Sequence, residues 1–169
     1  MNTQKNIEDI RFFKVDGSDN LLLSEAKTLL TGYGNYMYVE LGLTAGKKTF
    51  FEELEHFPGS SYLLPFGIFT IVKTGDMLVG CVGIRKFEKD SCEMKRMYIT
   101  SAFRGKGIGK LMCEFVIEWC RKSAYRRILL DSNIEMREAV ALYLKCGFKE
   151  IEPYCPNENS HPVFMEYTL

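Results

Sequence analysis

The chain has 169 residues, a length that predicts a single domain over residues 1–169 with a core large enough to need no disulfide or metal. Lysine plus arginine balance aspartate plus glutamate at 22 each, and no charged block occurs, so charge indicates neither nucleic acid nor an anionic membrane as a partner. No signal-peptide core or apolar run of roughly 20 residues is present, which predicts a cytoplasmic protein.

The first 60 residues are predicted to contain a strand and two helices. Weak alternation of apolar and polar residues predicts the strand. Apolar residues spaced three and four apart predict each helix, a capping residue marks the start of the first, and glycines or Pro58-Gly59 end them. Tyrosine and glycine make the segment between the helices ambiguous. In order, the predicted elements are strand 7–15, a helix from Asp19 or Asn20 to about Tyr33 stopped by Gly32 and Gly34, the ambiguous segment 35–46, and helix 47–57 with Phe50, Phe51, Leu54 and Phe57 on one face.

The rest of the chain predicts a sheet interrupted by two helices. Short polar turns between the next three strands favour an antiparallel meander. The strand, helix, strand unit that follows should place its second strand parallel to its first by a right-handed crossover. The predicted elements are strands 67–73, 77–87 and 91–99, helix 107–122, strand 127–131, helix 134–146 ended by Gly147, and strands 148–151 and 163–167.

The six cysteines and two histidines indicate neither disulfides nor a metal. The cysteines occur singly, and Cys113 and Cys120 lie two turns apart on one predicted helix, too far to bridge. We expect reduced, mostly buried thiols. Glu52 and His56 share a helix face without a third ligand, so no metal site is predicted.

A glycine-rich turn is predicted directly before helix 107–122. It reads Arg104-Gly105-Lys106-Gly107-Ile108-Gly109, followed by Lys110. The first N–H groups of a helix lack intrahelical partners and its dipole makes that end electropositive, so such a turn is a ready anion site. Glycines let the backbone approach a phosphate, and the three basic side chains add positive charge. The expected ligand carries a pyrophosphate or a similar group.

The glycine spacing fits neither a P-loop nor a dinucleotide-binding fingerprint. It resembles the acyl-CoA signature Gln/Arg-x-x-Gly-x-Gly/Ala of the GNAT superfamily of N-acetyltransferases. A second segment, from Leu142-Tyr143 to Gly147-Phe148, resembles that family's Leu-Tyr-x-x-x-Gly-Phe. The resemblance is strong over residues 60–169 and rests on element order alone before that. It implies an α/β (α+β) fold in which about four helices flank a mixed, mostly antiparallel sheet of six or seven strands with a splayed parallel pair.

The resemblance also implies a cofactor and the main chain that holds it. Acetyl-CoA is the expected cofactor. Its pantetheine arm should lie against the backbone of Met97, Tyr98 and Ile99, because exposed strand amides bind an extended amide chain. Its pyrophosphate should be held by the amides of residues 104–110, which are Arg104, Gly105, Lys106, Gly107, Ile108, Gly109 and Lys110.

Two side chains are candidates for the chemistry of direct amine attack on a thioester. An amine with a pKa of about 10.4 must lose a proton at a cost of about 4.6 kcal/mol at pH 7. Glu93, six residues before Ile99, matches the general base of histone-acetylating relatives; alternatively it only pairs with a lysine or arginine. Tyr143 matches the family's proton donor to the CoA sulfur; alternatively it is a core tyrosine.

One position departs from the family pattern. Many relatives carry an asparagine seven residues before the tyrosine, where this chain has Met136. Asn133 either substitutes for it against pantetheine or caps the following helix.

The acceptor is expected at the N-terminal helices and the loop before the last strand, near Tyr33, Tyr36, Tyr38, Tyr62, Tyr154 and Glu40. We expect a primary amine of a small molecule or a protein as the partner, and a monomer or homodimer. The alternative function is a non-catalytic acyl-CoA-binding domain.

Overall fold

The computed structural model describes residues 9–169. Within that range the chain forms seven strands, four α-helices and short helical turns. The strands are β1 (Ile10–Val15), β2 (Gly67–Thr74), β3 (Met77–Glu88), β4 (Ser91–Ile99), β5 (Arg127–Asn133), β6 (Lys149–Ile151) and β7 (Pro162–Thr168). The helices are α1 (Asn20–Asn35), α2 (Lys47–Glu55), α3 (Ile108–Lys122) and α4 (Arg137–Lys145).

All seven described strands form one sheet in the order β1-β2-β3-β4-β5-β7-β6. The described pairs are antiparallel except β4 with β5, which is parallel through the crossover α3. The predicted fold class, with its mostly antiparallel sheet, parallel pair and four flanking helices, is confirmed.

The parallel pair separates soon after it starts, which leaves a fork between β4 and β5. Only three residue pairs join the strands, ending with Glu93 opposite Leu129. Beyond that point β4 is distorted by a bulge, in which Arg96 and Met97 lie opposite the single β3 residue Val82. Arg96 takes a left-handed φ of 57°. The bulge turns the end of β4 away from β5.

The helices cover the two faces of the sheet and bury two apolar clusters. Cys92 and Met94 of β4 and Leu130 of β5 pack with α3 and Tyr143 of α4. Phe69 and Ile71 of β2 and Cys81 of β3 pack with α1 and Phe50 of α2. Because neighbouring strand residues face opposite sides, Glu93, Lys95 and Asp131 project away from the α3 cluster. The fork is therefore reached by different side chains from each face.

Helix α1 continues through two glycines that were predicted to stop it. A Cβ on Gly34 would lie 2.7 Å from Cε1 of Phe50, and one on Gly32 would lie 3.1 Å from the hydroxyl oxygen of Tyr98. The two glycines let the rings of Tyr98 and Phe50 pack closely against α1, and the helix continues to Asn35. The predicted helix end at about Tyr33 is therefore wrong. The ambiguous segment after α1 contains a π-helical turn, Tyr36–Glu40.

Three local predictions differ from the structure. Phe51, predicted to face inward, is exposed, because among the described aromatic rings its own packs only beside those of Tyr38 and Phe50, while Phe50 itself is buried. Helix α4 begins at Arg137 instead of Ile134, because Ile134 belongs to a turn whose backbone N–H donates to the carbonyl of His161 at 3.1 Å. Strand β1 is described from Ile10; the predicted start at Ile7 lies outside the described residues.

The cysteines are free thiols, as predicted. Four of them are buried, and only Cys146 and Cys155 are partly exposed. The buried Sγ atoms of Cys92 and Cys120 lie 3.1 Å apart. No helix in residues 9–169 is long and apolar enough to cross a membrane.

Candidate active site

A cavity of about 570 Å³ opens at the fork. One wall is the bulged part of β4, residues 94–97, and the facing wall is the end of β5, residues 130–133. Tyr143 of α4 closes one side. The far end is lined by the start of α2, by Tyr33 and Tyr38, and by residues 156–159 of the loop between β6 and β7. A ligand in this cavity would contact both strands of the fork.

The glycine turn presents a run of unused backbone donors. Within the described part of the chain, the N–H groups of residues 105–109 have no hydrogen-bond acceptor. The two flanking amides are engaged, since Arg104 N–H bonds to the Ser101 carbonyl at 3.4 Å and Lys110 N–H to the Gly107 carbonyl at 3.1 Å. Gly105 and Gly107 take left-handed φ values of 72° and 79°, and an added Cβ at either would meet no atom within 4 Å. Five adjacent donors at a helix N-terminus fit an oxyanion such as a pyrophosphate.

The basic side chains around the turn differ in how they are held. Arg104 donates from Nε to the Ile99 carbonyl at 3.0 Å, and its guanidinium lies over the rings of Tyr36 and Tyr98 at 4.4 and 5.6 Å. Lys106 lies over the ring of Phe103 at 5.3 Å. Lys110 is exposed and pairs with Glu114 at 3.6 Å. Arg104 is thus the fixed positive charge beside the free amides.

The third glycine of the signature has a packing role. A Cβ on Gly109 would lie 2.7 Å from Cδ2 of Leu142 and 3.5 Å from Cδ1 of Ile99. The small residue lets α3 approach α4, and α4 carries Tyr143. Gly109 thereby links the glycine turn to the position of the tyrosine.

The predicted pantetheine strand lies at the fork. Met97 lines the cavity. Tyr98 and Ile99 pair on their other side with Cys81 and Gly80 of β3. The Ile99 carbonyl already accepts a hydrogen bond from Arg104, so Ile99 can bind pantetheine only as a donor, through its N–H.

Tyr143 lines the cavity and is otherwise enclosed by the α3 cluster. Among residues 9–169 its hydroxyl has no hydrogen-bond partner. Burial raises the pKa of Tyr143 above its ordinary value, and the nearby charge of Asp131 adds to that effect. The phenol is therefore held protonated, as a proton donor must be.

Asn133 presents an unpaired donor to the same cavity. The residue is 1% exposed and its Nδ2 atom has no partner in the described chain. Its Oδ1 accepts from the backbone N–H of Glu135 at 3.3 Å. The N-cap of α4 is Met136, without a side-chain cap bond, so the alternative that Asn133 caps this helix is wrong. A buried amide donor without a partner fits an amide carbonyl of a bound ligand.

Glu93 is completely enclosed in polar contacts. Its carboxylate accepts from Arg85 Nε and Nη2 at 2.7 and 2.6 Å, from the Tyr154 hydroxyl at 2.8 Å and from Lys95 Nζ at 3.4 Å. The side chain is 1% exposed. The expected pairing of Glu93 with a basic residue is present, and its role as the base remains a prediction.

An ion pair that the sequence did not indicate crosses the fork. Lys95 Nζ lies 2.7 Å from Asp131 Oδ1, and Asn157 Nδ2 donates to Asp131 Oδ2 at 2.9 Å. Burial alone would raise the pKa of Asp131, but the charge of Lys95 outweighs it and lowers that pKa. Lys95 and Asp131 each lie two residues beyond Glu93 and Leu129, the last pair that joins β4 to β5.

A second ion pair anchors the bulge. Arg96 donates from Nε and Nη2 to the two carboxylate oxygens of Glu53 at 2.9 and 2.8 Å. Its guanidinium lies 5.0 Å from the ring centre of Phe50. Helix α2 is thereby fastened to β4.

The tyrosines predicted around the acceptor have different surroundings. Tyr33 and Tyr38 line the cavity, and burial raises the pKa of Tyr38 to about 12. Tyr62 is buried and bonds to Glu53, whereas Tyr154 bonds to Glu93. Tyr36 packs on Arg104, and Glu40 is exposed.

No group of three or more potential metal ligands occurs in residues 9–169.

Known proteins share both the sequence pattern and this architecture. The model of the acetyltransferase (GNAT) family matches residues 37–148. The chain belongs to the GNAT acetyltransferase family.

Relatives of this GNAT chain are N-acetyltransferases. An uncharacterised N-acetyltransferase of Schizosaccharomyces pombe is 32% identical over 114 residues, which cover 66% of the chain and 70% of that protein. Matches to relatives from Dictyostelium discoideum and Escherichia coli span only 37% and 56% of those proteins.

Solved structures share the GNAT fold at low identity. A GNAT acetyltransferase of Staphylococcus aureus has a TM-score of 0.76 at 19% identity and covers 94% of this chain and 98% of its own. An Elizabethkingia anophelis GNAT acetyltransferase with acetyl-CoA bound has a TM-score of 0.66 at 16% identity, covering 96% and 99%.

Proposed function

We propose that this chain is an acetyl-CoA-dependent N-acetyltransferase that acetylates a primary amine of a small molecule, protein or peptide by direct attack. The observation that carries the proposal is the run of five free backbone donors, 105–109, beside the open fork. The acetyl-CoA bound in the Elizabethkingia relative supports the same type of ligand.

The residues present fit coenzyme A at three places. The amides of 105–109 and the fixed Arg104 suit its pyrophosphate. The unpaired edge of β4, at Met97 and the Ile99 N–H, and the orphan Nδ2 of Asn133 suit the amides of pantetheine. Acetyl-CoA would supply the acyl group as a thioester.

Tyr143 is the proposed proton donor to the departing thiolate. Its side chain lines the cavity, and its protonated hydroxyl has no competing hydrogen-bond partner within the described residues. The acceptor amine enters from the other end, past Tyr33, Tyr38 and the start of α2. Glu93 of β4 and Asp131 of β5, the carboxylates of the two strands that form the fork, are the candidates for collecting its proton.

Calorimetric titration with coenzyme A tests the binding step. Reversing charge at Arg104 and Lys106 to glutamate should weaken binding at least about tenfold, because these cations lie beside the proposed phosphate site. The matched control reverses Arg121 and Lys122, two exposed basic residues at the opposite end of the same helix. Equal effects of both double variants, or no binding by the wild-type chain, would overturn the proposal.

An acceptor screen separates an enzyme from a non-catalytic binding domain. Free thiol released from acetyl-CoA is measured across small amines, polyamines and peptides, with Tyr143→Phe as the control. We expect amine-dependent release that falls about 100-fold in Tyr143→Phe, in the range for loss of a general acid. Tight coenzyme A binding without release for any acceptor would favour the binding domain.

A further inference from the structure

The carboxylates that β4 and β5 supply beside the fork, Glu93 and Asp131, differ in access to the cavity. Glu93 is 1% exposed, is held by Arg85, Lys95 and Tyr154, and does not line the cavity. Asp131 lines the cavity and its side chain is 20% exposed. A substrate amine can therefore reach Asp131 without displacing a charged partner, whereas Glu93 is shielded by two cations.

Asp131 and Tyr143 approach the fork from opposite faces of the sheet. Leu130, which precedes Asp131 in β5, packs with Tyr143 in the α3 cluster. Alternation along the strand then directs Asp131 to the face where Asn157 of the β6–β7 loop meets it. In the proposed reaction a thioester in the fork would have the proton donor on one face and a carboxylate on the other. This arrangement suits direct attack of an amine, because one group can accept the proton of the entering nitrogen while the other donates to the departing sulfur.

The two oxygens of Asp131 are bound by unlike donors. Oδ1 is fixed by the Lys95 ammonium at 2.7 Å, a charge-assisted contact. Oδ2 accepts only from the neutral amide of Asn157 at 2.9 Å among the described residues. Asn157 belongs to the surface loop 152–161, so an amine can exchange with it at little cost. Oδ2 is thus a carboxylate oxygen held ready by a replaceable donor.

We propose that the acceptor amine binds at Oδ2 of Asp131 in place of Asn157, and that Asp131 accepts the amine proton. Glu93 then acts as a positioning residue, because it holds Lys95 at 3.4 Å and Lys95 orients Asp131. This inference rests on the proposed acetyltransferase function and names the residue that receives the acceptor.

The proton balance is compatible with a carboxylate of low basicity. The acceptor attacks as the neutral amine, after its ammonium proton has gone to solvent. As the nitrogen bonds to the thioester carbon it becomes positively charged and far more acidic than the free ammonium. Asp131 takes this proton as the carbon–sulfur bond breaks, and the thiolate takes the proton of Tyr143. Solvent exchange returns both side chains to their starting states. The products are the acetamide and free coenzyme A, with no other reactant.

The test is steady-state kinetics of Asp131→Asn and Glu93→Gln with an acceptor found in the screen. Asp131→Asn should lower kcat/KM for the acceptor about 100-fold while the calorimetric Kd of coenzyme A changes less than about twofold. Glu93→Gln should lower it by about tenfold or less. Asp90→Asn, at the opposite end of the parallel pair, is the control and should match wild type. Retention of a third of the activity by Asp131→Asn, or a larger loss in Glu93→Gln, would overturn the assignment.

Asn157→Ala is a second variant that leaves the ion pair intact. Removing the competing donor should lower the acceptor KM about twofold or more with kcat unchanged. A raised KM would mean that Asn157 itself contacts the acceptor, which contradicts the exchange at Oδ2. A wild-type chain that binds no coenzyme A or acetylates no amine defeats the proposed function instead, so the two failures are distinguishable.

Discussion

Arg96 and Glu53 form a two-pronged ion pair between the bulge of β4 and the last turn of α2, with donor to acceptor distances of 2.9 and 2.8 Å. Both side chains line the cavity and are mostly buried, at 14% and 22% exposed. The pair holds a non-glycine residue in a left-handed conformation. It also connects the strand edge proposed for the cofactor to the helix that covers the acceptor end.

Glu53→Gln should destabilise the protein by about 3 kcal/mol, because removing one partner leaves the Arg96 guanidinium buried without its counterion. The measurement is urea unfolding. Glu52→Gln on the same helix is the matched control: Glu52 makes an exposed contact of 3.8 Å with Lys48, and its loss should cost at most about 0.5 kcal/mol. Similar losses in the two variants would refute the anchoring role.

Gly107→Ala should weaken coenzyme A binding as well as stability. The left-handed φ of 79° makes a side chain unfavourable by about 1 kcal/mol, and the added methyl group would enter the open space in front of the free amides. Gly75→Ala, at a β-turn glycine with φ of 55° and equally open surroundings, is the control. Calorimetry should show lost affinity only for Gly107→Ala, and equal affinity of both variants would contradict a phosphate site at 105–109.

Gly109→Ala should be energetically coupled to Leu142. The new Cβ would overlap Cδ2 of Leu142, separated by 2.7 Å, so packing is lost in the wild-type background although alanine favours helix. In a Leu142→Ala background the overlap is gone and the same change should stabilise. A double-mutant cycle of unfolding free energies should give a coupling of about 1 kcal/mol. Additive effects would show that α3 and α4 do not meet at Gly109.

Lys95→Met should raise the pKa of Asp131, measured by carboxyl carbon NMR. In the wild type the pKa lies below 3.8 because Lys95 outweighs burial. Stability from this group is therefore present above pH 3.8 and is lost as pH falls through the lower folded value. Without Lys95, burial is opposed mainly by the charge of Arg96. We therefore expect the pKa of Asp131 in the folded protein to rise above its unfolded value, so that protonation of Asp131 favours folding. Exposed Lys48→Met should leave the pKa of Asp131 unchanged.

The antiparallel meander of β2, β3 and β4, the parallel pair and the glycine turn follow from local patterns in the sequence. Alternation, the turn Thr74-Gly75-Asp76 and the apolar face of α3 each depend on neighbouring residues, so each could be predicted. Tyr143 was found because a short segment around it resembles the family. Tyr143 lines the cavity, and its chemical role stays a proposal.

Other features depend on contacts between distant positions. The bulge falls on an arginine, a residue type without preference for a left-handed φ, so nothing in β4 predicted it. Lys95 and Asp131 are 36 residues apart in the chain, and only the register of the fork brings them together. Gly32 and Gly34 were interpreted as helix stops. The rings of Tyr98 and Phe50 that pack against them come from other elements, so the sequence around the two glycines does not show this packing.

The distribution of thiols has a practical consequence for studying the loop that meets Asp131. Cys81, Cys92, Cys113 and Cys120 are sealed in the interior, whereas Cys155 lies in loop 152–161 and Cys146 at the end of α4. A maleimide fluorophore applied to folded Cys146→Ser protein should therefore attach to Cys155 alone. Its emission would then report on movement of this loop as acceptors are added, without introducing any new attachment point.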